Sequence, residues 1–321
     1  MPRKWLKLIL HCGLALSGLL WSTAYGAERT EVALIIDKTH PVYSELIDSL
    51  QHHLGQDTYV DPDISIITLS ATPAAKLFGT SKKLPDLIVT VGTVAAQQVL
   101  ELGLSVPVLS VLIPKVSFEQ IKQQTADNST RSGDFSAIYL DQPLERRLDL
   151  IRLVLPKARR VGVLLGPHSG KYEPDLIAAA EARKLQIHIR SITEADNLVT
   201  ALEPVLKTSD IMLGIVDPFV FNPGNTQNIL LTAYRYRVPL IGVSLAYVKA
   251  GALAAVYSTP AQIGHQLAEI LGPLTSRPVR KLPAPLYPKY FSVAANQRVA
   301  QSLGIDLDDE ESLEHKLAAQ K

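Results

Sequence analysis

Cysteine is almost missing from this chain: 321 residues hold one, Cys12. A single thiol forms no intramolecular disulfide and no multi-thiolate metal site. Charge of one sign is scarce as well, since 32 Lys and Arg oppose 31 Asp and Glu for a net of +1. No global field therefore draws the chain to nucleic acid or an anionic membrane. Signatures of catalysis are missing too: there is no Gly-x-Ser-x-Gly elbow, no His-Glu-x-x-His and no paired-carboxylate motif. The loop Gly166-Pro167-His168-Ser169-Gly170-Lys171 falls short of a Walker pattern, with Leu165 where a glycine is needed and Tyr172 where a hydroxyl residue should follow the lysine. His52 and His53 are neighbours on a helix and point in different directions, so they cannot share a metal as an i, i+4 pair would. What is present suffices to fold. The chain is 47% hydrophobic and 20% charged with 18 Gly and 21 Pro, which excludes disorder and low complexity, and its length suits two compact units.

The first 26 residues read as a cleaved secretory signal. Arg3, Lys4 and Lys7 precede an apolar stretch from Leu8 to Trp21, and Ala24-Tyr25-Gly26 offers small residues at the −3 and −1 positions of a cleavage site near Gly26-Ala27. That stretch is about 14 residues where a spanning helix needs about 20. Cys12 leaves with the leader, so the mature chain carries no thiol. It does not fit a lipoprotein site, because His11 precedes it and most of the apolar run follows it. The expected location is the periplasm.

After the leader, β-branched runs alternate with amphipathic stretches, the pattern of parallel sheets covered by helices. Strands are expected at 32–37, 63–69, 84–91, 106–113 and 135–140, with helices at 44–54 and 94–102, the latter capped by Thr93. From 115 to 134 the polar content rises, and 125–133 reads as an exposed loop. A helix to Leu155 opens a second series, with strands at 160–166, 186–192, 210–216 and 240–244. Two such series predict an α/β protein of two lobes, each an open parallel sheet flanked by helices. The expected division gives 27–139 with about 252–284 to the first lobe and 140–251 with about 285–305 to the second. Residues 306–321 read as a charged, frayed tail. The chain then crosses between lobes near 140–141, near 251–252 and along the proline-stiffened 283–290.

In open α/β sheets ligands lie beyond the carboxyl ends of the strands. This nominates Asp37 and Thr39, Gly92 and Thr93, Ser169 and Tyr172, Asp217 and Phe219, and Ser244, all facing one cleft. Thr93 offers a hydroxyl and a helix N-terminus to a carboxylate. Asp217 can neutralise an amine. Tyr172 and Phe219 can stack on a flat ligand. The loop at Gly166 can hold a small anion. No cofactor and no metal is called for.

The element order and several strings together resemble the ABC transporter substrate-binding protein family of the tryptophan- and tyrosine-binding type, which has the periplasmic binding protein type 1 fold. The strings are Asp86-Leu87-Ile88-Val89-Thr90-Val91-Gly92-Thr93-Val94-Ala95-Ala96-Gln97, the unit Leu148 to Leu165 with Leu155-Pro156, Gly251-Ala252-Leu253, Ile263-Gly264 followed by Leu282-Pro283, and Ala294-Ala295-Asn296 before Leu303-Gly304-Ile305. The resemblance implies a receptor, not an enzyme, that closes two lobes on a small ligand, an amino acid or a related compound, and delivers it to an ABC permease in the inner membrane. Two departures fall at ligand positions. Family members carry Asp-Pro where this chain reads Leu112-Ile113-Pro114-Lys115, and Asp-Asn where it reads Asp217-Pro218. They are the sequence support for the alternative, an envelope sensor-input or protein-binding module without a transport role.

Overall fold

The structure, a computed structural model, describes residues 30–37, 41–56, 63–68, 84–126, 134–275, 279 and 281–320. The leader expected at 1–26, Thr39, His40 and most of the loop expected at 125–133 lie outside the described residues.

The first lobe is built from β1 (Glu31–Ile36), α1 (Pro41–Leu54), β2 (Asp63–Thr68), β3 (Leu87–Val91), α2 (Thr93–Glu101), β4 (Val108–Ile113), α3 (Lys115–Ala126) and β5 (Phe135–Tyr139). Its five strands are parallel in the order β2-β1-β3-β4-β5. Side chains of a strand alternate between faces, so β1 sends Val32, Leu34 and Ile36 to one buried cluster and Ala33 and Ile35 to another. Both faces are covered, which is why the strand reads as a continuous apolar run.

The second lobe takes α4 (Leu144–Val154), β6 (Arg160–Leu165), α5 (Glu173–Glu181), β7 (Gln186–Ser191), α6 (Leu198–Lys207), β8 (Ile211–Leu213), α7 (Pro223–Arg235), β9 (Leu240–Ile241), α8 (Leu245–Ala250) and β10 (Ala254–Tyr257). The chain then returns to the first lobe as α9 (Pro260–Thr275), and ends in the second as β11 (Ser292–Ala295), α10 (Gln297–Leu303) and α11 (Glu310–Ala318). The second sheet runs β7-β6-β8-β9-β10-β11, with only β11 antiparallel. Both sheets therefore reverse direction beside their first strand, at β1/β3 and at β6/β8. Among the described residues no helix is long and apolar enough to cross a membrane.

Helix α9 lies on α1 so closely that a Cβ on Gly264 would sit 2.4 Å from the carbonyl oxygen of Leu46. Ile263 and Leu267 flank that contact and join the cluster under β1.

Several expectations need correction. Residues 115–126 form a helix, because Val116, Phe118 and Ile121 bury one face while Glu119, Lys122, Gln123 and Gln124 keep the composition polar. Thr93 does not cap α2: Gly92 is the cap residue and Thr93 the first helical one, with no side-chain cap bond. Residues 252–257 belong to the second lobe, since β10 pairs with β9 and β11, and so the second crossing lies at Ser258-Thr259. The C-terminal segment is not frayed. Asp309 accepts from Ser312 N (2.8 Å) at the start of α11, whose Leu313 and Leu317 are buried in the second lobe's core.

Candidate functional site

The two points where strand order reverses place loop ends side by side, the usual seat of ligands in such sheets. On the first lobe these are Asp37, just after β1, and Gly92-Thr93, after β3. Asp37 Oδ1 is buried without a hydrogen-bond partner among the described residues. Tyr43 stands close by: a Cβ on Gly92 would lie 3.3 Å from its hydroxyl. Burial, then the charge of Asp37, raises the Tyr43 pKa above its ordinary value. Thr93 is partly exposed, and Val94 beside it is 49% exposed. This corner is only partly filled by its own lobe.

The corresponding corner of the second lobe is closed by Asp217, which is fully buried. Its Oδ2 accepts from His168 N (3.1 Å), Ser169 N (2.8 Å) and Ser169 Oγ (2.8 Å), while Oδ1 accepts from Phe219 N (2.8 Å). Ser169 Oγ also accepts from Gly166 N (3.0 Å). The loop after β6 does bind an anion, as its turn of backbone N–H groups favours, and the anion is the carboxylate of Asp217. Gly166 is required there, since any Cβ would stand 2.6 Å from Asp217 Oδ2. Asp217 and Ser169 thus hold two loops together and present no free polar atom to an amine. Phe219 is partly buried against the second-lobe core. Ser244 precedes α8 without a side-chain cap bond and remains partly exposed.

Between the lobes lies a cavity of about 30 Å³ lined by Lys115, Asp141, Arg147, Tyr172 and Tyr287 with Leu144, Leu165, Leu176 and Ile215. That is room for a water or two, so a larger solute enters only if the lobes part. Lys115 is delivered by the end of β4, where Leu112 takes φ 53° and the pairing with β5 shifts register between Val111 and Ile113. A leucine in the left-handed region is strained. Lys115 N then donates to Asp141 Oδ2 (2.6 Å). Burial pushes the Asp141 carboxyl up, opposed by that bond and by the charge of Arg147. Arg147 is buried, donates Nη2 to the carbonyl of Gly214, and is pushed down to about 10 by desolvation against the pull of Asp141.

Across the cleft, Glu119 of α3 meets the second lobe. Its Oε2 accepts from Lys171 Nζ (2.6 Å) and from the Tyr172 hydroxyl (2.7 Å). Burial would raise the Glu119 pKa, but those two bonds and the charges of Lys171 and Lys115 hold it below its ordinary value. The Tyr172 hydroxyl is raised by burial and by Glu119.

Three stretches join the lobes: 140–143, 258–259 and 287–291. One polar chain ties them. Arg146 Nη1 donates to Gln142 Oε1 (2.6 Å) and to the carbonyl of Pro288 (3.0 Å). Gln142 Nε2 donates to Ser258 Oγ (2.8 Å), which donates to the carbonyl of Tyr290 (2.5 Å). The proline-rich strap also covers the edge of β5, with Leu286 N donating to the Ala137 carbonyl (2.8 Å) and the Leu286 carbonyl accepting from Tyr139 N (2.9 Å).

Of the nine nominated residues, Asp37, Gly92 and Thr93 share the first-lobe corner, Ser169, Asp217 and Phe219 are knitted together in the second, Tyr172 bridges the lobes, Ser244 stands apart from these contacts, and Thr39 is outside the described residues. Lys115, Glu119, Asp141, Arg147 and Tyr287 were not nominated. Only Lys115 gave a signal, as half of the Pro114-Lys115 departure.

No curated protein sequence matches the chain. Solved structures share its two-lobed fold, three of them as follows. An ABC domain in complex with L-Trp from Streptococcus pneumonia is 17% identical, with a TM-score of 0.59 over 89% of this chain and 98% of that one. A conserved domain protein from Vibrio cholerae is 19% identical, TM-score 0.58, over 90% and 98%. The ligand-free, open form of a substrate binding protein with adhesive properties from Clostridium difficile is 17% identical, TM-score 0.65, over 88% and 97%. The model of the ABC transporter substrate binding protein family matches residues 32–316, and the chain belongs to that family.

Proposed function

We propose that this protein is the extracytoplasmic receptor of an ABC importer: it binds a small ligand between its lobes, closes about the three crossings and presents the closed form to a permease. The observation that carries this reading is the small cavity between the lobes, lined by Lys115 and Tyr287 on one side and Arg147, Tyr172 and Ile215 on the other, with three described stretches between the lobes to bend. Family membership supports the same role, and the L-Trp bound by the Streptococcus relative makes amino acids and related compounds the first ligands to try. Residues 1–26 are then a leader cleaved near Gly26-Ala27, and the mature protein works in the periplasm without catalysis. Asp37, Gly92 and Thr93 serve as first-lobe contacts, with Tyr172 and Ser244 opposite.

Hinge closure needs a ligand that binds the closed state better than the open one. A thermal-shift screen of amino acids, organic acids, nucleosides and sugars tests the receptor role, because a ligand specific for the folded state must raise the melting temperature. A permease pulled down by the liganded protein completes it. If no solute stabilises the protein while it captures an envelope protein, the sensor or protein-binding alternative takes its place.

A further inference from the structure

We propose that the end of the second lobe formed by α6, α7 and α8 docks on an anionic phospholipid surface. Such docking is independent of the receptor reading.

From residue 218 to 268 the chain holds no Asp or Glu. Helices α7 and α8 and the turns that lead from them into β9 and β10 therefore carry cations only: Arg235, Arg237 and Lys249, all exposed. None of the three makes an ion pair among the described residues. Helix α6 ends beside them with Lys207, whose ammonium lies 5.9 Å over the Tyr236 ring and 3.8 Å from Glu203, the one acid of that helix. Asp210, just before β8, is taken up by Arg160 at 2.6 Å. Beyond it, the nearest run of acids is Asp306, Asp308, Asp309, Glu310 and Glu311, which leads into α11. That helix packs on the other face of the sheet: β6 sends Val161 and Val163 to the cluster that holds Leu313 and Leu317, and Leu164 to the one that holds Leu202, Leu230 and Val248.

Leu231 and Tyr234, about one turn apart on α7, are 48% and 55% exposed beside these cations. A tyrosine and a leucine among arginines and lysines suit the headgroup layer of a bilayer, where cations meet phosphates, the phenol sits at the water boundary and the leucine reaches the acyl chains. A soluble polyanion would use the cations and leave Leu231 and Tyr234 in water. Helices that follow parallel strands run back to the strands' amino ends, so Lys207, Arg235, Arg237 and Lys249 gather at the pole away from the cleft. A docked protein keeps its cleft free. In the first lobe the amino ends of β1, β2, β3 and β5 carry instead Glu31, Asp63, Asp86 and Asp134. The net charge near zero thus conceals local fields, and a surface within about 8 Å, a Debye length at physiological salt, responds to the local one.

Vesicle flotation tests this, with the full chain and every variant in the same N-terminal form. Phosphatidylglycerol vesicles should bind at least about 10-fold tighter than phosphatidylcholine vesicles, and about 0.5 M salt should abolish the difference. Arg235→Glu with Arg237→Glu should cost about 10-fold or more on phosphatidylglycerol, and Tyr234→Ser about 3-fold. Lys157→Glu with Lys184→Glu changes the net charge equally after α4 and α5, on the other face of the sheet, and should cost less than about 3-fold. Arg235→Gln with Arg237→Gln repeats the loss should the reversed pair fold poorly by circular dichroism. Equal binding to both vesicles, equal loss in the two charge-reversed pairs, or binding that ignores Arg235 and Arg237 overturns the proposal. So does salt-sensitive self-association without vesicle binding, which would seat the acidic pole of a second copy on this face. Each of these outcomes leaves the receptor reading standing.

Discussion

The two lobes share one strand order around their first strands, β2-β1-β3-β4-β5 and β7-β6-β8-β9-β10, yet they treat the same corner in opposite ways. The second lobe fills it with its own carboxylate, Asp217, bound by three backbone N–H groups and one hydroxyl. The first leaves Asp37 Oδ1 without a hydrogen-bond partner among the described residues, beside a partly exposed Thr93 and an exposed Val94. A site that satisfies itself is rigid and has little left to offer, whereas one left unsatisfied keeps its hydrogen-bonding capacity for a visitor. On the proposed receptor role, specificity belongs to the first lobe and the cavity between the lobes, with the second lobe as a fixed jaw.

The largest expected effect breaks the closed corner. Asp217→Ala strands the N–H groups of His168, Ser169 and Phe219 in a buried place, at about 1–3 kcal/mol each. Because the losses are not additive, about 3–5 kcal/mol in total should appear as a lower urea midpoint. A variant of parental stability that merely loses ligand would return Asp217 to the role of a ligand contact. Next in size is a substitution that loosens the first lobe without touching its open corner. Gly264→Ala pushes a Cβ against the Leu46 carbonyl and should cost about 1–3 kcal/mol as an overpacked contact. Ligand affinity measured well below the midpoint should stay near the parent's.

At the open corner the balance reverses. Thr93→Val and Asp37→Asn should change stability by no more than about 1 kcal/mol, while either weakens binding of the best ligand of the screen by about 3- to 10-fold. Equal losses of stability at Asp37 and Asp217 would erase the contrast between the lobes.

Much of the fold was legible because the strands are buried on both faces. Runs such as Val32 to Ile36 and Leu87 to Val91 carry no competing pattern, and α4 shows Leu148 and Ile151 on one face. α3 was missed because its buried stripe is only Val116, Phe118 and Ile121 within a polar dozen. The second crossing was misplaced because Leu253 to Val256 is an apolar run that suits either sheet, and pairing alone assigns it. The candidate site was harder. Position relative to strand ends found both corners, but nothing local in Asp217-Pro218 says that its carboxylate is consumed 49 residues away by the His168 N–H. Nor does Lys115 announce its cavity, which Asp141 and Tyr287 complete from distant parts of the chain.

The smallest effect concerns the bridge across the cleft. Glu119 has a folded pKa below its ordinary 4.5, so the bridge contributes fully above that value and fades as pH falls through the depressed one. Glu119 is 30% exposed and solvent screens the pair, which limits the contribution to about 0.5–1 kcal/mol. Parent and Glu119→Gln should differ slightly in melting temperature at pH 7 and converge near pH 3. A gap that widens on acidification would mean that some other group governs the contact.

On the proposed mechanism the first lobe closes on the second, which acts as a fixed jaw. With Cys12 the single cysteine of the sequence and replaced by serine, cysteines introduced at Gln97 and Lys249, both exposed and one on each lobe, give a clean pair for spin labels. Their distance distribution should be broad or long without ligand, and short and narrow when the best-binding compound saturates the protein. A distribution that does not change under a ligand proven to bind tightly would contradict hinge closure and with it the receptor mechanism.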